Sequence, residues 1–174
     1  DSRIMKRAGG GYDASYNAQT AVDDAAHIIV AAELTNCSSD AGELPGMLQA
    51  VQENLGALPE QALADTGYKA EAVFEALAAS ASACDLVVAV GREGRPTLRF
   101  DPQRSPHTAA MAAKLQTDEG KAAYRRRKWI AEPPNGWIKN VLGFRQFSLR
   151  GLHRVQAEWK LVCMAMNLRR MATL

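Results

Sequence analysis

Leu44, Met47, Leu48, Val51 and Leu55 recur at spacings of three and four along DAGELPGMLQAVQENL, residues 40–55. That period predicts an amphipathic helix, with Asp40 as a candidate cap and Pro45 in its first turn. Ahead of it, Tyr16 to Val22 and Ile28 to Leu34 are short runs with β-branched residues joined by DDAAH, which predicts a hairpin. After it, Ala62 to Asp65 and Asp85 to Val90 predict two buried strands, and the alanine-rich helical stretch Glu71 to Ala81 between them makes them parallel. Residues 91–106, GREGRPTLRFDPQRSP, have no apolar period and form a loop. Helices follow over Thr108 to Leu115 and Thr117 to Ile130. The last is the most periodic, with Leu152, Val155, Trp159, Val162 and Met166 on one stripe. The expected architecture is one α/β domain over residues 1–174: strands and helices to residue 90, a loop at 91–106, and a basic helical part over 107–174.

Composition adds little to this picture until the charges are placed. An apolar content of 47% and a charged content of 23% suit a folded core. No run approaches the roughly 18 apolar residues of a membrane span, so a soluble, cytoplasmic chain is expected. Cys37, Cys84 and Cys163 are far apart and odd in number, which predicts buried free thiols. The opening segment, without Met and rich in glycine, leads us to expect a piece of a longer protein. The net charge of +2 conceals a split: residues 1–91 hold 4 Lys/Arg and 13 Asp/Glu, whereas residues 92–174 hold 17 and 6. A basic half of this kind suits an anionic polymer, or else pairs with the acidic half.

Two acids stand out against that background. Asp65, in ALADTGY, sits where a buried strand meets a turn, a position from which a carboxylate reaches the edge of an α/β sheet. It equally suits a cap on the turn before Gly67. Glu132 follows the run Arg125, Arg126, Arg127, Lys128 and precedes Pro133 and Pro134. A residue before proline is pushed away from helical angles, so the helix is expected to stop or kink near Glu132, and the prolines can then occupy the first turn of a following helix. Glu132 then stands at a junction among cations, either as a helix cap or as a ligand. Carboxylates that bind a divalent cation beside cations that bind phosphate suit metal-assisted phosphoryl transfer. His27, His107 and His153 stand alone, and no GxSxG or phosphate-cradling loop competes.

The blocks GYDASYNAQTAVDDAAHIIVAAELT, LPEQALADTGY, YRRRKWIAEPPNGWIKNVLGFRQFSLRGL and VQAEWKLVCMAMNLRRM occur in one order. Together they resemble the C-terminal part of bacterial insertion-sequence transposases of the DDE class, whose catalytic core is RNase H-like. The resemblance implies a mixed sheet with a basic helical tail. It makes Asp65 the second acid of the triad and Glu132 the third, holding Mg²⁺ or Mn²⁺. It implies cutting of DNA at transposon ends and joining of the 3′-hydroxyl to a target strand, by a nucleoid-associated protein that acts as a dimer. Arg125, Arg126, Arg127, Lys128, Lys139 and Arg145 would hold the DNA backbone. Tyr124 falls one position before the family's commonest spacing.

In that family the first acid lies on a strand upstream of the segment that DSRIMK resembles. The sheet of this chain is therefore expected to lack its first strand and to leave the edge near Tyr16 to Val22 open. The chain alone is then expected neither to cleave nor to join DNA. Asp23 and Asp24 are possible substitutes, but they fall in the hairpin connection, where Asp is an ordinary turn residue. Two rival readings stay open: a DNA-binding remnant or regulator without catalysis, and an α/β protein-interaction domain whose two halves neutralise each other.

Overall fold

Short apolar runs broken by turn residues give short strands, and the described residues form three two-stranded sheets and five helices in a mixed α/β arrangement. A computed structural model describes residues 1–6, 10–80, 84–91 and 100–174. The chain divides into two compact units, one of Asp1–Ser38 with Ile130–Leu174 and one of Ser39–Trp129. Half of the expected loop, residues 92–99, lies outside the described residues.

In the first unit, strands β1 (Arg3–Lys6) and β2 (Tyr12–Ser15) form an antiparallel hairpin, and so do β3 (Asn17–Val22) and β4 (Ile29–Thr35). The second hairpin is the expected one. Its turn is built by Asp23, whose carboxylate accepts hydrogen bonds from the backbone N–H groups of Ala25 (3.1 Å), Ala26 (2.7 Å) and Ile28 (2.5 Å). His27 takes a left-handed φ of 59° in this turn, and the three bonds to Asp23 hold the segment around it. Ile29 and Leu34 pack with Val155, Trp159, Cys163 and Met166 of the last helix, α5 (Leu152–Met171). Burial of each such side chain stabilises by about 1.5–3 kcal/mol. Polar bonds fix the seam. Asn167 accepts from Ile29 N and donates to Ile29 O, both at 2.8 Å, copying a strand partner, and Trp159 Nε1 donates to Gln19 O at 3.3 Å. Leu161, Met164, Leu168 and Met171 remain exposed on α5, so the helix is apolar on two sides.

In the second unit, α1 (Leu44–Leu55) buries Leu44, Met47, Leu48 and Val51 as its period requires. Its N-cap is Glu43, not Asp40, and Pro45 lies in its first turn; Gly56 ends it with the left-handed φ of 77° that glycine adopts without strain. Strands β5 (Gln61–Ala64) and β6 (Asp85–Val88) are parallel and joined through α2 (Glu71–Ala79), as expected for a crossover. Helix α3 (Pro106–Lys114) lacks a side-chain cap of its own. Glu71 supplies one from α2, its two carboxylate oxygens accepting from His107 N and Thr108 N at 2.8 Å each. Burial opposes ionisation of Glu71, but bonds from the Thr108 side chain and from the two backbone amides, with the nearby His107, outweigh it and hold the carboxyl below its usual range.

Helix α4 (Asp118–Asn140) corrects the expected junction, because Pro133 and Pro134 lie inside it. Thr117 caps it, Oγ1 accepting from Gly120 N at 3.0 Å, and Asp118 and Glu119 occupy the first turn. The preference of a residue before proline is local, and here packing overrides it: Pro134 is fully buried and Ile138 sits in the core with Val155 and Trp159. Of the three thiols, Cys163 alone is buried; Cys37 and Cys84 are half-buried, because they flank the short strands and not the α5 seam. Burial pushes the Cys163 thiol up to about 12.

Candidate functional site

Asp65 follows β5 directly, at the end where a parallel strand pair presents its loops. Its backbone is extended, and its Oδ1 accepts from Gly67 N at 2.8 Å, which caps the single 3₁₀ turn Thr66–Tyr68. The turn-cap role is therefore real. It occupies one carboxylate oxygen and fixes the direction of the other. A second acid shares this place: a Cβ on Gly67 would lie 2.7 Å from Asp40 Oδ2 and 2.9 Å from Asp65 Oδ1. Two carboxylates thus close over a backbone position where any Cβ would force one of them to move. Tyr68, half-buried beside them, feels their field. Desolvation first, and then the charges of Asp40, Asp65 and Glu43, push its phenol above the usual range, so it remains a neutral hydrogen-bond donor.

Glu132 belongs to the other unit and stands exposed on α4. Among the described residues its side chain has no hydrogen bond or ion pair, so it is neither a cap nor a salt-bridge partner. Asn135 and Lys139 follow at i+3 and i+7, on the same helix face. Arg125, Arg126 and Lys128 are exposed, and Arg127 is half-buried with its guanidinium 5.4 Å from the Tyr124 ring centre. Lys139 and Arg145 are exposed, and Arg145 donates to the neutral Asn140 Oδ1 at 3.2 Å.

Lys139 and Arg145 also line a groove of about 1020 Å³ that lies wholly within the first unit. The strand β2, the C-terminal half of α4 and the segment 144–151 form its walls. Arg150 is a third cation on it, which the sequence reading did not single out. Glu158 shapes the approach to that segment, its carboxylate accepting from Ser148 N at 2.8 Å and Leu149 N at 2.9 Å.

The transposase DDE domain family matches residues 79–172, just over half of the chain. The chain belongs to the transposase DDE domain family. No curated protein and no solved structure matches it. The matched span of this transposase domain encloses Glu132, the run Arg125 to Lys128, Lys139 and Arg145, whereas Asp65 lies outside it. DNA is what transposases act on.

The family generally uses a divalent metal, and the donors present suit one. Among the described residues no group of three or more His, Cys, Asp or Glu side chains converges. Asp40 and Asp65, however, bring hard carboxylate oxygens to one spot over Gly67, and Mg²⁺ needs only one or two such ligands beside phosphate and water. Asp23 does not suit this role, because its carboxylate is spent on three backbone amides; Asp24 is an exposed turn residue. Among the described residues no helix is long and apolar enough to cross a membrane.

Proposed function

We propose that this transposase domain takes part in DNA transposition by metal-dependent phosphodiester cleavage and strand transfer, on an RNase H-like core, with Asp65 and Glu132 as ligands of Mg²⁺ or Mn²⁺. The observation that carries the reading is the family match over a span that holds Glu132 exposed and without a structural partner. Divalent metal in such sites stabilises the attacking and leaving oxygens of an in-line displacement. The chain's own residues do the rest. Asp65 offers its oxygen from a position fixed by Gly67 N, and the exposed Glu132 carboxylate has no side-chain partner to give up among the described residues. Arg125, Arg126, Arg127, Lys128, Lys139 and Arg145 hold phosphates of transposon ends and target. In cleavage, water forms a bond to phosphorus as the P–O3′ bond breaks; in transfer, the freed 3′-hydroxyl attacks a target phosphate as one P–O bond there breaks. The reading includes a homodimer at the nucleoid, which sedimentation equilibrium with and without DNA tests.

The engagement of Asp23 in its turn favours a second reading, DNA binding without cleavage by the isolated chain. Gel shifts and Mn²⁺-dependent nicking of the same labelled transposon-end DNA separate the two. Nicking lost in Asp65→Asn and Glu132→Gln supports catalysis by the chain, whereas binding that persists in chelator with no nicking supports the second reading. Salt-insensitive, weak DNA association would refute both and favour a protein-interaction domain, since each phosphate contact on duplex DNA contributes about −0.9 to the slope of log affinity against log salt.

A further inference from the structure

The groove of the first unit has a lining that the phosphate contacts alone do not explain. Lys139, Arg145 and Arg150 are exposed on it, and among the described residues none has an ion pair. The acids on the lining are Asp1 and Asp13; Asp1 Oδ2 accepts from Leu152 N at 3.2 Å and Asp13 Oδ1 from Ala14 N at 2.9 Å. Both are thus bonded to backbone, while the cations are left to a ligand. Phe144 and Phe147 line the same groove half-buried, 5.3 Å apart and edge to face. They pack against Trp159, at 6.3 and 6.4 Å, and Phe147 against Tyr16 at 6.0 Å, and both of these partners also line the groove. Gly151 N donates to Tyr16 Oη at 3.2 Å, so the segment carrying Arg150 is tied to this aromatic cluster.

Cations beside packed aromatic rings are the lining of a site for an unpaired nucleic-acid strand, whose phosphates take the charge and whose bases take the rings. In a duplex the base faces are stacked within the helix, so a duplex meets the cations and leaves the phenyl groups unused. Asn135 and Lys139, which line the groove, share their helix face with Glu132. At about 1.5 Å per residue, Lys139 lies roughly 10 Å along α4 from Glu132. The groove therefore borders the helix that carries Glu132.

We propose that this groove holds an unpaired DNA strand, with phosphates on Lys139, Arg145 and Arg150 and a base against Phe144 and Phe147. The inference rests on the reading of the chain as a DNA-acting protein, and the experiment separates the two. Fluorescence anisotropy is measured with a labelled oligothymidylate and with a random duplex of equal length, across a salt series, on the full chain. Arg150→Ala is expected to weaken oligothymidylate binding about 3- to 10-fold and to reduce its salt slope by about 0.7, the loss of one single-strand phosphate contact. Duplex affinity should stay within about twofold. Phe147→Leu, which keeps an apolar side chain in the cluster, is expected to weaken the single strand at least about fivefold. If Phe147→Leu fails to fold, the exposed Arg150 variant decides alone. Unchanged oligothymidylate affinity in Arg150→Ala, or equal losses on both DNAs, overturns the groove assignment. Duplex binding without single-strand binding by the wild type overturns the groove alone, and binding of neither overturns the DNA reading as well.

Discussion

Replacing Pro133 by Ala distinguishes a continuous α4 from two helices meeting at the prolines, because the two cases differ in sign. Within a helix, proline removes one backbone donor and its ring crowds the preceding turn, at a cost of about 3 kcal/mol relative to Ala. Pro133 is exposed, so its removal loses no packing, while Pro134 next to it is fully buried and continues to interrupt the ladder. Taking roughly half the full cost as recoverable, Pro133→Ala should stabilise by about 1–2 kcal/mol. For a chain of this length that raises Tm by roughly 2–8 °C. Had a helix begun at Pro133, its ring would occupy the first-turn position it favours, and Ala would destabilise by about 0.4–1 kcal/mol through the unfolded chain. Urea titration followed by far-UV circular dichroism reads the difference as a shift in midpoint at constant slope. A lower or unchanged midpoint in Pro133→Ala would refute the continuous helix.

Gly67→Ala places a methyl group 2.7 Å from Asp40 Oδ2 and 2.9 Å from Asp65 Oδ1, so one carboxylate must move. Mn²⁺ affinity, read by the electron paramagnetic resonance of free ion, should fall about 10-fold or more, and a change within twofold counts against the Asp65 ligand. Glu71→Gln should cost about 1–2 kcal/mol at pH 7, since charged acceptors become a neutral amide at the α3 terminus. The folded carboxyl lies below its usual 4.5, so this stabilisation is present above that pH and is lost as pH falls through the folded value; the gap between wild type and variant should close on acidification. Glu132→Gln should leave stability within about 0.5 kcal/mol while abolishing any metal-dependent nicking.

Features governed by neighbours in the chain were legible in the sequence. Period alone located α1, and of the expected α5 stripe Val155, Trp159 and Met166 are buried; Cys163, one residue on from Val162, shares the core with them. Asp23 and Asp24 suggested a turn, and Asp23 organises it. The β1–β2 hairpin was not legible, because Ile4 and Tyr12 are 73% and 72% exposed and its strands bury no alternating face. The cap on α3 comes from Glu71 on another helix, and the approach of Asp40 to Asp65 joins residues far apart in sequence. The groove escaped for the same reason: only the fold brings β2 and Lys139 of α4 onto one lining with Phe144, Phe147 and Arg150.

The acids of this chain sort themselves by what they hold. Asp23 takes three backbone amides, Glu71 two and Glu158 two, and Asp85 takes Lys114 and the Gln61 amide. Each replaces a donor's water or closes a helix end, and the loss of any one leaves backbone or lysine unsatisfied. Glu132 does none of this. It lies exposed within a helix whose composition is strongly basic, and an exposed helical Glu contributes only a few tenths of a kcal/mol to folding. Folding alone therefore gives no reason for an acid at that position, and Gln would serve α4 as well. The proposed role as a metal ligand would supply one, because there the full charge of the carboxylate matters and an amide of the same shape cannot replace it.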